Sequence, residues 1–278
     1  MYKEVVKLIA LDLDRTTLSS DGHLSEANRN AIMHAISRGV HVCIASGRAY
    51  DTLPADVVSI SGIEYAITSN GAAVYEIKDK KCLNSYVLKE ESVDNIIKNS
   101  IEYPVTYEAF IRGKAYASRK YMENPVKFGA TPKAIEYVRS TRTLQDDIVG
   151  FIYEHKHELD SIDIVLDDDE LKRKLIDDLY SIDKEIYITS SVKQLIEISY
   201  KDAGKKSGVK FLAERLGIDR ENIAAFGDAD NDCDMIEYAG AGIAMGNACD
   251  ALKKAADYVT LSNDEDGLAH AIYNILGL

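Results

Sequence analysis

Long hydrophobic runs are missing from this chain: no apolar stretch approaches the roughly 18 consecutive residues that a membrane-spanning helix needs. The opening stretch MYKEVVKLIALDLD has only a short apolar segment, interrupted by Lys7, and no small-residue cleavage site. It is expected to be a first strand and not a secretory signal. Cysteines are few: Cys43, Cys82, Cys233 and Cys249 stand far apart, with no C-x-x-C pair and no neighbouring histidine pair. That spacing argues against zinc and for a reduced, cytoplasmic chain in which each thiol is a small buried hydrophobe. Positive charge is also short, with 33 Lys and Arg against 46 Asp and Glu and a formal net charge of −13. A surface this acidic repels phosphodiester backbones and anionic lipid, so neither nucleic acid nor a membrane surface is an expected partner. Internal repeats and low-complexity segments are lacking too.

What remains has the balance of an ordinary globular protein, 46% hydrophobic and 28% charged. At roughly 150 residues per domain, 278 residues suggest about two domains, large enough to bury a core without disulfide or metal staples. Short apolar runs alternate with helical periodicity over residues 5–75. Val6–Leu13 reads as a strand. Ser25 reads as the N-cap of a helix with Ala31, Ile32, Ala35 and Ile36 on one face and Gly39 as its stop. Val40–Ala45 and Tyr65–Thr68 read as strands, the latter before the turn pair Asn70-Gly71. The same rhythm returns near the C-terminus, where Lys205–Leu216 is a helix stopped by Gly217 and Ile223–Phe226 a strand. Strands apolar on both faces and separated by helices indicate an α/β fold with a parallel sheet. The middle differs, carrying most of the tyrosines and all but one of the prolines. It reads as an inserted α/β domain over 86–190, with 1–85 and 191–278 forming the main domain around it.

The polar residues fall at the ends of the apolar runs. LIALDLD closes on Asp12 and Asp14, VCIASGR on Ser46, Gly47 and Arg48, and IAAFGDADND on Gly227, Asp228, Asn231 and Asp232. Ligands of open parallel sheets bind at the carboxyl ends of the strands, so all three groups would face one crevice. Carboxylates gathered at one spot repel each other unless a cation joins them. Oxygen ligands from Asp12, Asp14 and Asp228, with neither His nor Cys in these segments, suit Mg²⁺. Lys205, opening a helix, and Ser46, beside a glycine, are natural phosphate contacts. An Asp12 attack on a phosphate monoester sets like charges together. At about 4 Å and an effective dielectric of about 20, each pair costs on the order of 4 kcal/mol, which Mg²⁺ and Lys205 can offset. Asp12 would form an aspartyl-phosphate, and Asp14 would protonate the leaving alcohol and then activate water.

Taken in order, these segments resemble the Cof-type phosphatases of the haloacid dehalogenase (HAD) superfamily. The resemblance rests on Asp12-Leu13-Asp14-Arg15-Thr16-Thr17-Leu18, Ser46-Gly47-Arg48, Lys205 and Gly227-Asp228-Ala229-Asp230-Asn231-Asp232. Ser69-Asn70-Gly71-Ala72, Ala244–Ala248 and Ser262–Gly267 are flanking matches. It implies a Rossmann-like core with an inserted α/β cap that sets substrate specificity. Asp12 would be the nucleophile and Asp14 the general acid/base. Mg²⁺ would be held by the Asp12 side chain, the Asp14 main-chain carbonyl and Asp228, with Asp232 close behind. Leu13 through its backbone, Ser46, Gly47, Lys205 and Asn231 would contact phosphate. Arg15 and Lys206 depart from the family pattern, standing where glycine is usual. If a left-handed backbone persists at residue 15, arginine carries roughly 1 kcal/mol of strain. Its side chain would then either point outward or add a positive group near the substrate.

The expected activity is Mg²⁺-dependent hydrolysis of small phosphorylated metabolites, sugar phosphates first, by a monomer or small homo-oligomer. The alternatives are a phosphotransferase of phosphomannomutase type and a non-catalytic phosphate-binding or regulatory protein. Gly240–Gly246 has the wrong spacing for a dinucleotide fingerprint and precedes a strand, so NAD is not expected.

Overall fold

The computed structural model describes residue 2 and residues 4–278. The chain forms two compact units, one comprising the residues up to Arg48, Leu53–Asn84 and Gly204–Leu278, the other Ala49–Thr52 and Ser85–Ala203.

The first unit is built on an eight-stranded sheet. Strands β1 (Leu8–Leu11), β2 (His41–Ala45), β3 (Ile63–Thr68), β4 (Ala73–Glu76) and β5 (Lys81–Ser85) come from the first part of the chain. The second unit's strands follow: β6 (Thr106–Ile111), β7 (Lys114–Ser118), β8 (Thr143–Gln145), β9 (Ser161–Val165), β10 (Ile186–Thr189) and β11 (Leu195–Tyr200). The chain then returns with β12 (Ile223–Gly227), β13 (Ala241–Ala244) and β14 (Tyr258–Val259). The first sheet has the order β14-β13-β12-β1-β2-β3-β4-β5, parallel from β14 through β3 and antiparallel between β3 and β4. Its central strand, β1, is buried along its whole length, which is why it reads as a continuous apolar run. Leu8 and Ala10 pack in one core with Val209 and Leu212 of the helix Lys205–Leu216. Ser25 caps the helix Glu26–Ser37 by accepting the Asn28 N–H at 3.1 Å. Gly217 ends Lys205–Leu216 in a left-handed conformation.

The second unit is a six-stranded sheet of order β10-β11-β9-β6-β7-β8, antiparallel except between β7 and β8. On one face Tyr107, Ile162, Ile164, Ile196 and Ile198 pack with apolar residues of the helices Glu90–Ser100 and Asp169–Ile182. On the other, Glu108, Asp163 and Glu197 stand in register on three adjacent strands, all buried. The buried Arg142 meets Glu108 with Nε–Oε1 at 2.7 Å and Nη2–Oε2 at 3.3 Å.

Two readings need correction. The return to the first unit falls at Gly204 and not at 191, because β11 pairs with β9 and β10 and so belongs to the insert's sheet. The thiols are all free, but only Cys43 is buried; Cys82 is exposed on edge strand β5. Among the described residues no helix is long and apolar enough to cross a membrane.

Candidate active site

The carboxyl ends of β12, β1 and β2 lie side by side at the centre of the first sheet. Asp12 follows β1 directly and keeps its register, its N–H donating to the Phe226 carbonyl at 3.1 Å. Beyond it the chain turns through Leu13–Thr17 with a break in helical geometry at Asp14 and Arg15. The turn is closed by the Thr17 hydroxyl, which donates to the Asp12 carbonyl at 2.6 Å, and by the Leu18 N–H, which donates to the Leu13 carbonyl at 2.9 Å. Asp228 follows β12. Asp232 folds back beneath it, accepting the N–H groups of Asp228 and Ala229 at 2.8 and 3.0 Å. Gly227 permits that fold: a Cβ there would lie 2.4 Å from the Asp232 Cβ.

Lys205 joins the two halves of the chain. Its side chain is fully buried, and Nζ donates to Asp12 Oδ1 at 2.7 Å and to Asp232 Oδ1 at 2.6 Å. Carboxylate oxygens of Asp12, Asp228 and Asp232 come within 4.8 Å of one another. Lys205 thus pairs with two of the three buried acids, Asp12 and Asp232. Burial and the neighbouring Asp232 push the Asp12 carboxyl well above the usual range, against the pull of Lys205. Burial and Asp232 likewise push Asp228 up to about 7, with Arg15, Lys205 and a Thr16 hydrogen bond opposing. Burial works against the Lys205 charge, yet Asp12 and Asp232 raise its pKa above that of an ordinary lysine. The cluster is therefore short of positive charge, and its donors are all hard oxygens, the set that suits a divalent cation such as Mg²⁺.

The remaining residues singled out in the sequence stand on the segments that follow β1, β2 and β12 and beside Lys205. The Asp14 side chain is half exposed and is not part of the acidic cluster; it pairs with Arg48, whose Nε and Nη2 donate to Oδ2 at 2.8 Å and Oδ1 at 2.6 Å. Ser46 is buried at the end of β2; its Oγ accepts the Arg48 N–H at 3.2 Å. Gly47 beside it is half-buried, and Leu13 is buried. Asn231 is buried and donates from Nδ2 to Asn70 Oδ1 at 2.9 Å. Arg15 does adopt the left-handed conformation, at φ 61° and ψ 13°. Its side chain is 61% exposed but leans inward, with Nε 3.8 Å from Asp228 Oδ2. Lys206 faces solvent.

Three contributors were given no chemical role from the sequence, although Thr16 and Asn70 stand in segments that carry the resemblance. The Thr16 hydroxyl donates to Asp228 Oδ1 at 3.4 Å. Asn70 reads as a turn residue because Asn-Gly is a turn signal wherever it occurs. Asp234 accepts the Lys206 N–H at 3.1 Å at the start of the helix that carries Lys205, a capping contact 28 residues distant in sequence.

Residues 9–272 match the family described as haloacid dehalogenase-like hydrolase. A phosphatase of Bacillus subtilis strain 168, YwpJ, is 32% identical over 292 residues, covering 98% of this chain and 100% of the relative. A second protein of that organism, 5-amino-6-(5-phospho-D-ribitylamino)uracil phosphatase YcsE, is 29% identical over 267 residues, covering 96% and 94%. The solved structure of a haloacid dehalogenase-like hydrolase from B. subtilis overlays with a TM-score of 0.83 at 29% identity, covering 98% of this chain and 100% of its own. A family match over nearly the whole chain and similarity to full-length phosphatases lead to one assignment: the chain belongs to the haloacid dehalogenase-like hydrolases and is a phosphatase among them, a hydrolase of phosphoric monoesters.

Proposed function

We propose that the chain hydrolyses small phosphorylated metabolites, sugar phosphates foremost, with Mg²⁺ and through an aspartyl-phosphate on Asp12. The observation that carries this reading is the buried Lys205 bridging Asp12 and Asp232, with Asp228 completing the acidic cluster. The Asp12 side chain, the Asp14 main-chain carbonyl and Asp228 would hold Mg²⁺, with Asp232 behind them. Bound there, the ion would supply Lewis-acid charge neutralisation for the phosphoryl group.

The chain's own groups do the rest. Lys205 keeps a positive charge against the Asp12 carboxylate and the incoming phosphoryl oxygens, offsetting the repulsion that opposes attack. The Leu13 backbone, Ser46, Gly47 and Asn231 bind the remaining phosphoryl oxygens. An Asp12 oxygen forms the bond to phosphorus as the ester P–O bond breaks, and the leaving oxygen takes its electron pair and the proton held by Asp14. Asp14 then takes a proton from water. That water oxygen attacks phosphorus, inorganic phosphate departs, and the Asp12 carboxylate is restored. Because Arg48 holds both Asp14 oxygens in this structure, the clamp must open on at least one of them before proton transfer.

The substrate preference draws support from YcsE, whose name carries a phosphorylated ribityl chain. A reduced, cytoplasmic setting accords with four free thiols. A monomer or small homo-oligomer is the proposed form. The test is phosphate release from an aryl phosphate and a panel of sugar and cofactor monophosphates, with Mg²⁺, with EDTA, and with Asp12→Asn. Turnover that requires Mg²⁺ and disappears in Asp12→Asn is expected. Undiminished turnover in EDTA or in folded Asp12→Asn would sink the mechanism.

A further inference from the structure

The turn Ser69-Asn70-Gly71 after β3 places three consecutive residues at positive φ, 48°, 52° and 88°. Left-handed backbone costs non-glycine residues roughly 1–2 kcal/mol each. Ser69 and Asn70 hold it only because their surroundings fix it, and such strain marks functional sites. The surroundings here are the segments of the active site. The Ser69 N–H donates to the Arg48 carbonyl at 2.9 Å, and the Asn70 N–H to the Ser46 carbonyl at 3.1 Å. The Asn70 carbonyl accepts the Gly204 N–H at 2.9 Å, one residue before Lys205. Its side-chain Oδ1 accepts from Asn231 Nδ2 at 2.9 Å. The packing admits nothing larger: a Cβ on Gly71 would lie 1.9 Å from the Gly204 carbonyl oxygen.

One buried residue therefore ties together the loop after β2, the approach to Lys205 and the side chain of Asn231. The Asn231 amide carries two N–H protons. Asn70 takes one, which fixes the orientation of the amide and leaves the other for an oxygen of the bound group. We infer that Asn70 is a positioning residue for phosphate binding, acting through the Asn231 side chain and the Ser46 backbone without itself touching the substrate. The inference rests on the phosphatase reading above.

Asn70→Gly tests it, because glycine keeps the left-handed backbone and deletes only the amide. The native protein, Asn70→Gly, Asn231→Ala and the double variant are compared by KM and kcat on the best monoester, by inorganic phosphate inhibition and by melting temperature. Misdirection of the Asn231 hydrogen bond to a charged phosphoryl oxygen predicts a roughly tenfold rise in KM and in the phosphate inhibition constant for Asn70→Gly, with a smaller fall in kcat. In the Asn231→Ala background the same change should add less than about twofold, since the two residues act in series. Losses that multiply in the double variant, or an unchanged KM and inhibition constant in folded Asn70→Gly, overturn the assignment. If the native protein hydrolyses no monoester, the phosphatase reading fails by itself. Calorimetric binding of inorganic phosphate to the same four proteins then decides the role of Asn70, and absence of binding to the native protein overturns it as well.

Discussion

With none of its surface exposed, Lys205 sits between Asp12 and Asp232, so its removal leaves two carboxylates facing each other in a buried space. Breaking a buried ion pair from one side costs roughly 3–5 kcal/mol, and losing a charge aimed at the reacting group costs about 10²–10³ in rate. Lys205→Met is expected to show both losses, read by denaturant unfolding and by kcat on a monoester. Arg15 presents the opposite case. Its left-handed backbone carries about 1 kcal/mol of strain, and its guanidinium competes with any cation for Asp228. Arg15→Gly is therefore expected to melt higher and to bind Mg²⁺ more tightly in a calorimetric titration. A lower melting temperature with unchanged Mg²⁺ affinity would show that the side chain contributes packing and not charge. The resemblance raised a left-handed backbone at residue 15 as a condition, through the glycine usual there, and the structure meets it. The sequence could not disclose the direction of the side chain, which depends on Asp228, 213 residues away in the chain.

At the scale of strands and helices, the site was legible because it sits where apolar runs stop. Asp12, Ser46 and Asp228 follow β1, β2 and β12, and each run is apolar because both of its faces are covered. The helix Lys205–Leu216 has the bounds its periodicity and Gly217 indicate. Register across the second sheet had no such signature. Glu108, Asp163 and Glu197 are scattered along the chain, and only strand pairing sets them in a row against a single Arg142. Burial, with Glu197 and then Glu108 beside it, raises the Asp163 carboxyl well above its ordinary 3.8. The folded chain then holds a proton that the unfolded chain has released, so this group lowers stability as pH climbs from about 4 toward neutrality. Asp163→Asn removes that penalty and offers an N–H to its acidic neighbours. Thermal melts from about pH 4 to 7 are expected to show a higher melting temperature at pH 7 and a flatter pH dependence. Arg142→Met should do the reverse, losing roughly 3–5 kcal/mol by stranding Glu108.

Across the whole molecule, the sequence revealed an insert but misplaced where it ends. The hairpin of β10 and β11 carries no composition shift at residue 191, and only its pairing with β9 assigns it. The second unit has its own sheet and apolar core, drawn almost entirely from one continuous stretch. A fragment spanning residues 85–203 is expected to unfold cooperatively on its own, as circular dichroism would show, while residues 1–84 alone are not. The reason lies in the strand order of the first sheet. β1 is flanked by β2, about 30 residues on, and by β12, whose first residue is Ile223. During synthesis at roughly 5–20 residues per second, β1 waits more than ten seconds for its second neighbour. The insert is complete before then. Nascent chains of this protein therefore spend that interval with a finished second unit and an unfinished first one, whose apolar β1 needs shielding until β12 has been made.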